Sequence, residues 1–184
     1  MATAEALLTA EEFGNLPDDG RMTELVRGRI IELPPPQYLH GFVCFQAAMI
    51  FGAYIKQHDL GRVVVNDTGV VTERDPDTVR GADVAYHSFA RLPRKPMTKG
   101  YPAVPPDLVI EVRLSSDRWR DIQAKVTEYL NLGVTVVVVI DPEPRTASLF
   151  HADQPPRTLG PVDELTLPEC LGDFRVAVRD FFPE

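Results

Sequence analysis

The sequence predicts an α/β domain built on one mixed sheet between helices, and three observations predict it. Apolar residues recur at helical spacing over 38–58 and again over about 117–132. Around them lie short runs rich in β-branched residues, bounded by Gly, Pro and Asp. The run VTVVVVI at 134–140 is apolar on both faces, as a central strand is when helices cover each side of its sheet.

The elements follow in order. Thr9 and Glu12 in TAEE form a capping-box pattern that opens a short helix through about Leu16. TELVR and RIIEL flank Gly28 as two strands around a tight turn. The prolines at 34–36 end that unit, and Leu39, Phe42, Val43, Phe45, Met49, Ile50, Ala53 and Tyr54 carry the apolar periodicity of the first long helix. RVVVN and GVVTE read as two further strands, ERDPDT as a turn, and VRGADVAYH at 79–87 as the returning strand. Residues 88–106 make a long connection punctuated by proline. A strand over 107–113 comes next, then a helix from about Asp117 to Leu132 stopped by Gly133. VTVVVVI, a DPEPR turn, the strand TASLF and a short closing helix over 177–182 complete the chain.

With 184 residues the chain suits a single domain, 1–184, with a substantial core. Its 44% apolar and 25% charged residues are close to those of an ordinary globular protein, so disorder is not expected. MATAEALLTAEEF has no basic segment and no long apolar run, so no signal peptide is expected. The seven residues at 134–140 are far too few to span a bilayer, so no membrane partner is expected. Cys44 and Cys170 read as buried thiols, not a disulfide framework, and the expected compartment is the cytoplasm. A net charge of −8 argues against a surface that attracts nucleic acid over its whole extent, though it leaves room for a local basic patch.

The chemistry concentrates around PPDLVIEVRLSSD at 105–117. Alternation along this strand puts Leu108, Ile110 and Val112 on one face and Asp107, Val109, Glu111 and Arg113 on the other. A carboxylate in a buried strand is costly unless it is paired or holds a metal. Glu111 therefore either pairs with a cation such as Arg113 or has chemical work. Asp83 sits in the preceding strand, with Val84 and Tyr86 on the opposite face, and two carboxylates from neighbouring strands suit a hard divalent ion. In the following helix Trp119, Ile122, Val126, Tyr129 and Leu130 form the apolar stripe. Lys125 lies about 90° from its centre, a margin from which a lysine stem can carry its ammonium to the sheet. Asp83, Glu111 and Lys125 thus form an acid–acid–lysine set, able to hold Mg²⁺ and to stabilise charge on a phosphate. The loop RLPRKPMTKGYP offers Arg91, Arg94, Lys95 and Lys99 without an acid among them, either as phosphate contacts or as a solvated basic loop.

The run from ELVRGRIIELPPP through ADVAYHS and DLVIEVRLSSDRWRDIQAKVTEYLNLGV to VIDPEPRTASLF resembles a bacterial family of restriction endonucleases within the PD-(D/E)XK nuclease superfamily. The resemblance extends from about Thr9 to the end of the chain. It implies a restriction endonuclease-like fold and Mg²⁺-dependent hydrolysis of DNA phosphodiesters, with Mn²⁺ able to substitute. Asp83 matches the family's strand aspartate, Glu111 its central glutamate, and Lys125 a lysine moved from the strand to the following helix. Glu24 in TELV matches an early acidic position facing the same site and is an expected third metal ligand, and His40 matches a histidine after the proline run. Arg113 stands where more typical relatives carry the strand lysine. It is an expected supporting cation but, always charged, it cannot serve as a base. Such nucleases commonly form homodimers. The rival expectation is a nuclease-fold binding or scaffold protein without turnover, which the acidic pI of about 5.0 and the altered strand motif favour.

Overall fold

The computed structural model describes residues 6–97 and 99–184, and the VTVVVVI run forms the middle of its main sheet. Part of the stretch read for a leader, residues 1–5, lies outside the described residues. The strands are β1 (Thr23–Val26), β2 (Arg29–Glu32), β3 (Gly61–Glu73), β4 (Thr78–Ser88), β5 (Leu108–Val112), β6 (Val136–Asp141), β7 (Thr146–His151), β8 (Gln154–Leu159), β9 (Glu164–Thr166) and β10 (Arg175–Ala177). The helices are α1 (Ala10–Gly14), α2 (Tyr38–Gln57), α3 (Trp119–Leu132) and α4 (Pro168–Leu171), with a 3₁₀ turn over Val178–Phe181. Eight strands form one mixed sheet in the order β2-β1-β4-β5-β6-β7-β8, with β3 also paired to β4, while β9 and β10 pair separately. Among the described residues only β5 and β6 run parallel, and α3 makes the crossover between them.

Local chemistry explains the boundaries. Thr9 and Glu12 close the predicted capping box on α1, each side chain bonding the other's backbone N–H. β1 and β2 are joined by Arg27 and Gly28, both at positive φ, the tight turn a twisted hairpin requires. Gly133 ends α3 at φ 102, in the left-handed region where glycine carries no Cβ penalty.

β6 is buried along its whole length, as its apolar run demands. Val136, Val138 and Ile140 pack toward α2, where Val43, Ala47, Phe51 and Ile55 meet Phe174 and Phe181 from the chain's end. Val137 and Val139 pack on the opposite face, against Ile122, Val126 and Tyr129 of α3.

Three expectations are corrected. RVVVN and GVVTE are one continuous strand, β3, because Asn66 and Asp67 are absorbed as a bulge between Val65 and Thr68. The buried stripe of α2 is Val43, Ala47, Phe51 and Ile55, while Phe45 and Met49 face outward. α2 is apolar nearly all round, so its periodicity has no clear phase, and by length and composition it could also cross a membrane. Its stripe is nonetheless fully buried against the sheet. The closing helix is a single 3₁₀ turn, and β8, β9, β10 and α4 had no clear signal. β8 carries Pro155 and Pro156, which an edge strand tolerates.

Candidate active site

The site arises from a fork in the sheet. β3 covers one edge of β4 throughout. The other edge is shared, with β1 pairing at Val79 and β5 pairing from Val84 to Tyr86. Between them Arg80, Gly81, Ala82 and Asp83 have no ladder partner on that edge. Backbone N–H groups there still need acceptors, and carboxylates supply them. Glu24 from β1 accepts from the Gly81 N–H at 3.1 Å, and Asp83 accepts from the Val112 N–H of β5 at 2.6 Å. The fork thus gathers acids because their oxygens stand in for missing strand carbonyls.

A cleft of about 460 Å³ opens at this point, bounded by Ile31, Leu33 and Pro34 on the hairpin side and by Ser116 to Lys125 at the start of α3. Glu24, His40, Asp83, Glu111 and Lys125 all line it, so the structure brings these five expected residues together. Lys125 reaches in from α3, with Nζ 2.7 Å from Glu24 Oε1 and 3.6 Å from Glu111 Oε2. Glu111 also accepts a hydrogen bond of 2.8 Å from the Tyr129 hydroxyl. Tyr129, read as a core ring, therefore also fixes the carboxylate.

The two glutamates respond in opposite directions. Burial pushes Glu24 up, but Lys125 and Arg80 outweigh it and hold its carboxyl below the ordinary range. Burial raises Glu111 to about 7, and Asp83 adds to the rise while Lys125 and Tyr129 only partly oppose it. Burial alone would lower Lys125, yet Glu111, Glu24 and Asp83 together raise it, so it stays an ammonium. Glu24, expected as a third metal ligand, has both oxygens engaged: Oε1 by Lys125 and the Gly81 N–H, Oε2 by Arg80 at 2.9 Å.

His40 enters from the first turn of α2, its Nε2 3.5 Å from Asp83 Oδ2. Burial lowers its pKa, but Asp83 and then Asp67 more than compensate, so it is raised. Among the described residues, one group of at least three potential metal donors lies within 4.8 Å: His40, Cys44 and Asp83.

Two residues at the site escaped the sequence reading. Arg80 donates to Glu128 from Nε and Nη2, both at 2.6 Å, and to Glu24, clamping β1, β4 and α3 together. Asp67 enters the cleft from the β3 bulge, at φ 52, where burial and Asp83 raise its pKa. Gly81 makes room for it, since a Cβ there would lie 2.9 Å from that of Asp67. The only sequence signal for Asp67 is the NDTG stretch between two apolar runs.

Arg113 is not in the cleft and does not pair with Glu111. Beyond the end of β5 it turns to Asp141, 2.8 Å away, and to Glu143, and stacks over Trp119. The basic loop lies at the other end of β4, about 16 Å along the strand from Asp83. Arg91 there ties loops together through Pro106 O, Gly133 O and the Thr135 hydroxyl. Arg94 pairs with Asp59 and lies over the Phe89 ring. Lys95 and Lys99 are exposed.

Comparison with known proteins agrees with this architecture. A model of the Uma2 family, described as "Putative restriction endonuclease", matches residues 10–179. No curated protein matches the chain. Among solved structures, the fold is similar to that of a putative nuclease belonging to DUF820 from Anabaena variabilis ATCC 29413. The TM-score is 0.80 at 20% identity, over 95% of this chain and 97% of that one.

Proposed function

The chain belongs to the Uma2 family of putative restriction endonucleases, and on that premise we propose that it is a Mg²⁺-dependent endonuclease hydrolysing DNA, with Mn²⁺ able to substitute. The observation that carries this reading is Glu111, a carboxyl buried on β5, pushed up to about 7 and facing Asp83 across the fork. Such a pair fits a divalent cation, whose charge would offset the burial and the neighbouring Asp83 charge that raise Glu111. Bound there, the ion would polarise a phosphate oxygen and acidify a water.

The chain's own groups do the rest. Lys125, raised above the ordinary lysine range, donates hydrogen bonds to water and to a non-bridging phosphate oxygen and does not act as a base. Glu24 and Arg80 hold it in place, and the Tyr129 hydroxyl fixes the rotamer of Glu111. Lys95 and Lys99, exposed on the basic loop, are further candidates for phosphate contacts. A homodimer is part of the proposal, supported by Tyr38, Phe45 and Met49 exposed on the outer face of α2.

Calorimetric titration of Mn²⁺ and Mg²⁺ into wild type and Asp83→Asn tests the metal before any substrate is chosen. Saturable binding in wild type, lost in the variant, is expected, followed by metal-dependent nicking of plasmid DNA. An absence of binding in wild type would replace this reading with that of a nuclease-fold binding protein.

A further inference from the structure

We propose that His40, Cys44 and Asp83 form a second metal position, one that takes a borderline-soft divalent ion of the zinc and cobalt type in place of magnesium. His40 and Cys44 stand four residues apart on the first turns of α2, so both side chains leave the same face. Asp83 meets them from β4. Cys44 Sγ lies 3.8 Å from His40 Nε2, Nε2 lies 3.5 Å from Asp83 Oδ2, and all three donors fall within 4.8 Å. A tetrahedral zinc ion with bonds of about 2.3 Å to sulfur and about 2.0–2.1 Å to nitrogen and oxygen separates its ligands by roughly 3.3–3.6 Å. The spacings of 3.8 and 3.5 Å stand within a few tenths of an ångström of that range, and the third pair, Cys44 with Asp83, falls within 4.8 Å and closes on the ion by side-chain rotation. The contact between Nε2 and Oδ2 is at the long limit for a hydrogen bond and matches the edge of a coordination sphere.

The donor chemistry decides the ion. One imidazole, one thiolate and one carboxylate suit zinc or cobalt, whereas Mg²⁺ requires oxygen ligands in an octahedron. On binding, the Cys44 S–H bond breaks as the metal–sulfur bond forms, the proton passes to buffer, and no electron changes hands. His40 and Asp83 line the cleft while Cys44 stands behind them, so the remaining coordination position faces the cleft. Three protein ligands and one open position are the arrangement of an accessible site, not of a closed structural one. This position shares Asp83 with the proposed nuclease centre, so the soft ion competes there with magnesium. The donor geometry itself stands whether or not the chain cleaves DNA.

The test uses the reduced full-length protein without magnesium. Titration with Co²⁺ should produce a near-ultraviolet thiolate-to-cobalt charge-transfer band, with visible bands of tetrahedral intensity, saturating at one equivalent and erased by Zn²⁺. Cys44→Ser should lose the near-ultraviolet band while keeping its far-ultraviolet dichroism and any Mn²⁺ isotherm of wild type. Cys170→Ser should keep the band, and His40→Gln should need at least tenfold more cobalt to develop it. No charge-transfer band in wild type, a band that persists in Cys44→Ser, or a band lost in Cys170→Ser would overturn the proposal. A cobalt band without any Mn²⁺ isotherm would sustain this site while removing the nuclease reading.

Discussion

β1 and β5 pair with the same edge of β4, each carries one buried glutamate into the fork, and the two glutamates behave in opposite ways. Glu24 on β1 meets two cations and a backbone N–H, and is held ionised. Glu111 on β5 shares one of those cations at a longer distance, faces Asp83, and is raised to about 7. Both are buried, at 2% and 4% exposure, and burial pushes both up, but only at Glu24 do the partners outweigh it. The β1 side is a satisfied ion network whose work is to hold Arg80 and Lys125. The β5 side carries surplus negative charge, the condition under which a site takes up a cation.

The largest expected effect separates the two sides by activity. Glu111→Gln should lower DNA cleavage by about 10³-fold or more, the order seen when a transition-state electrostatic contact is removed, with thermal stability at neutral pH unchanged or higher. Plasmid nicking and a melting curve measure both. A variant that cleaves normally would remove Glu111 from the mechanism.

Glu24→Gln should do the reverse and act on the fold. Removing one charge from a buried network costs about 3–5 kcal/mol, because the remaining ions lose their counter-charge. Arg80 keeps Glu128, so the lower end of that range applies. Urea unfolding reads the loss directly. A drop below 1 kcal/mol would mean that the β1 side is no more than a surface ion pair.

The pH dependence of stability in metal-free protein carries both signs. Glu24, depressed in the fold, contributes stability that is present above the ordinary value of 4.5 and is lost as pH falls through its lower folded pKa. Glu111, raised in the fold, contributes stability that is full below 4.5 and is lost as pH rises toward about 7. The loss is on the order of 3 kcal/mol by the conversion of pKa shift to energy. His40, also raised, adds a loss that begins only above its ordinary value of 6.5. Asp67, also raised, and His40 remain in Glu111→Gln, so wild type should lose more stability than that variant between pH 4.5 and about 7. Coincident curves would show that Glu111 titrates normally.

What was legible in the sequence follows from which signals are local. Asp83, Glu111 and Lys125 could be brought together because strand alternation and helical spacing fix faces within one element. VTVVVVI announced its central place because five consecutive β-branched apolar residues, 136–140, need cover on both faces of a strand. Asp67 was hidden, because a bulge is decided by the register between β3 and β4 and its residues look like those of a turn. The phase of α2 was hidden because Phe45 and Met49 are as apolar as Val43 and Phe51, so only packing against the sheet selects the buried stripe. The fork was hidden for a related reason: which two strands share an edge of β4 is a property of the assembled sheet.

Arg113 gives the smallest expected effect and the sharpest test of the β5 side. Its parity on the strand is that of Glu111, and alternation alone aims both at the cleft. β5 ends at Val112, however, and the Arg113 N–H already bonds Ile140 O as the chain leaves the sheet. Its guanidinium then serves Asp141, which is 3% exposed. Arg113→Ala should cost about 1–3 kcal/mol, the penalty for leaving one buried acceptor short of a charged donor. Cleavage per folded molecule should stay within about threefold of wild type. The cleft loses only the hydrogen bonds of Arg113 to the backbone carbonyls of Leu114 and Asp117, while Asp83, Glu111 and Lys125 keep all their contacts. If Arg113→Ala instead matched Glu111→Gln in lost cleavage at unchanged stability, the functional cation would be this strand arginine, and the role given to Lys125 would fall.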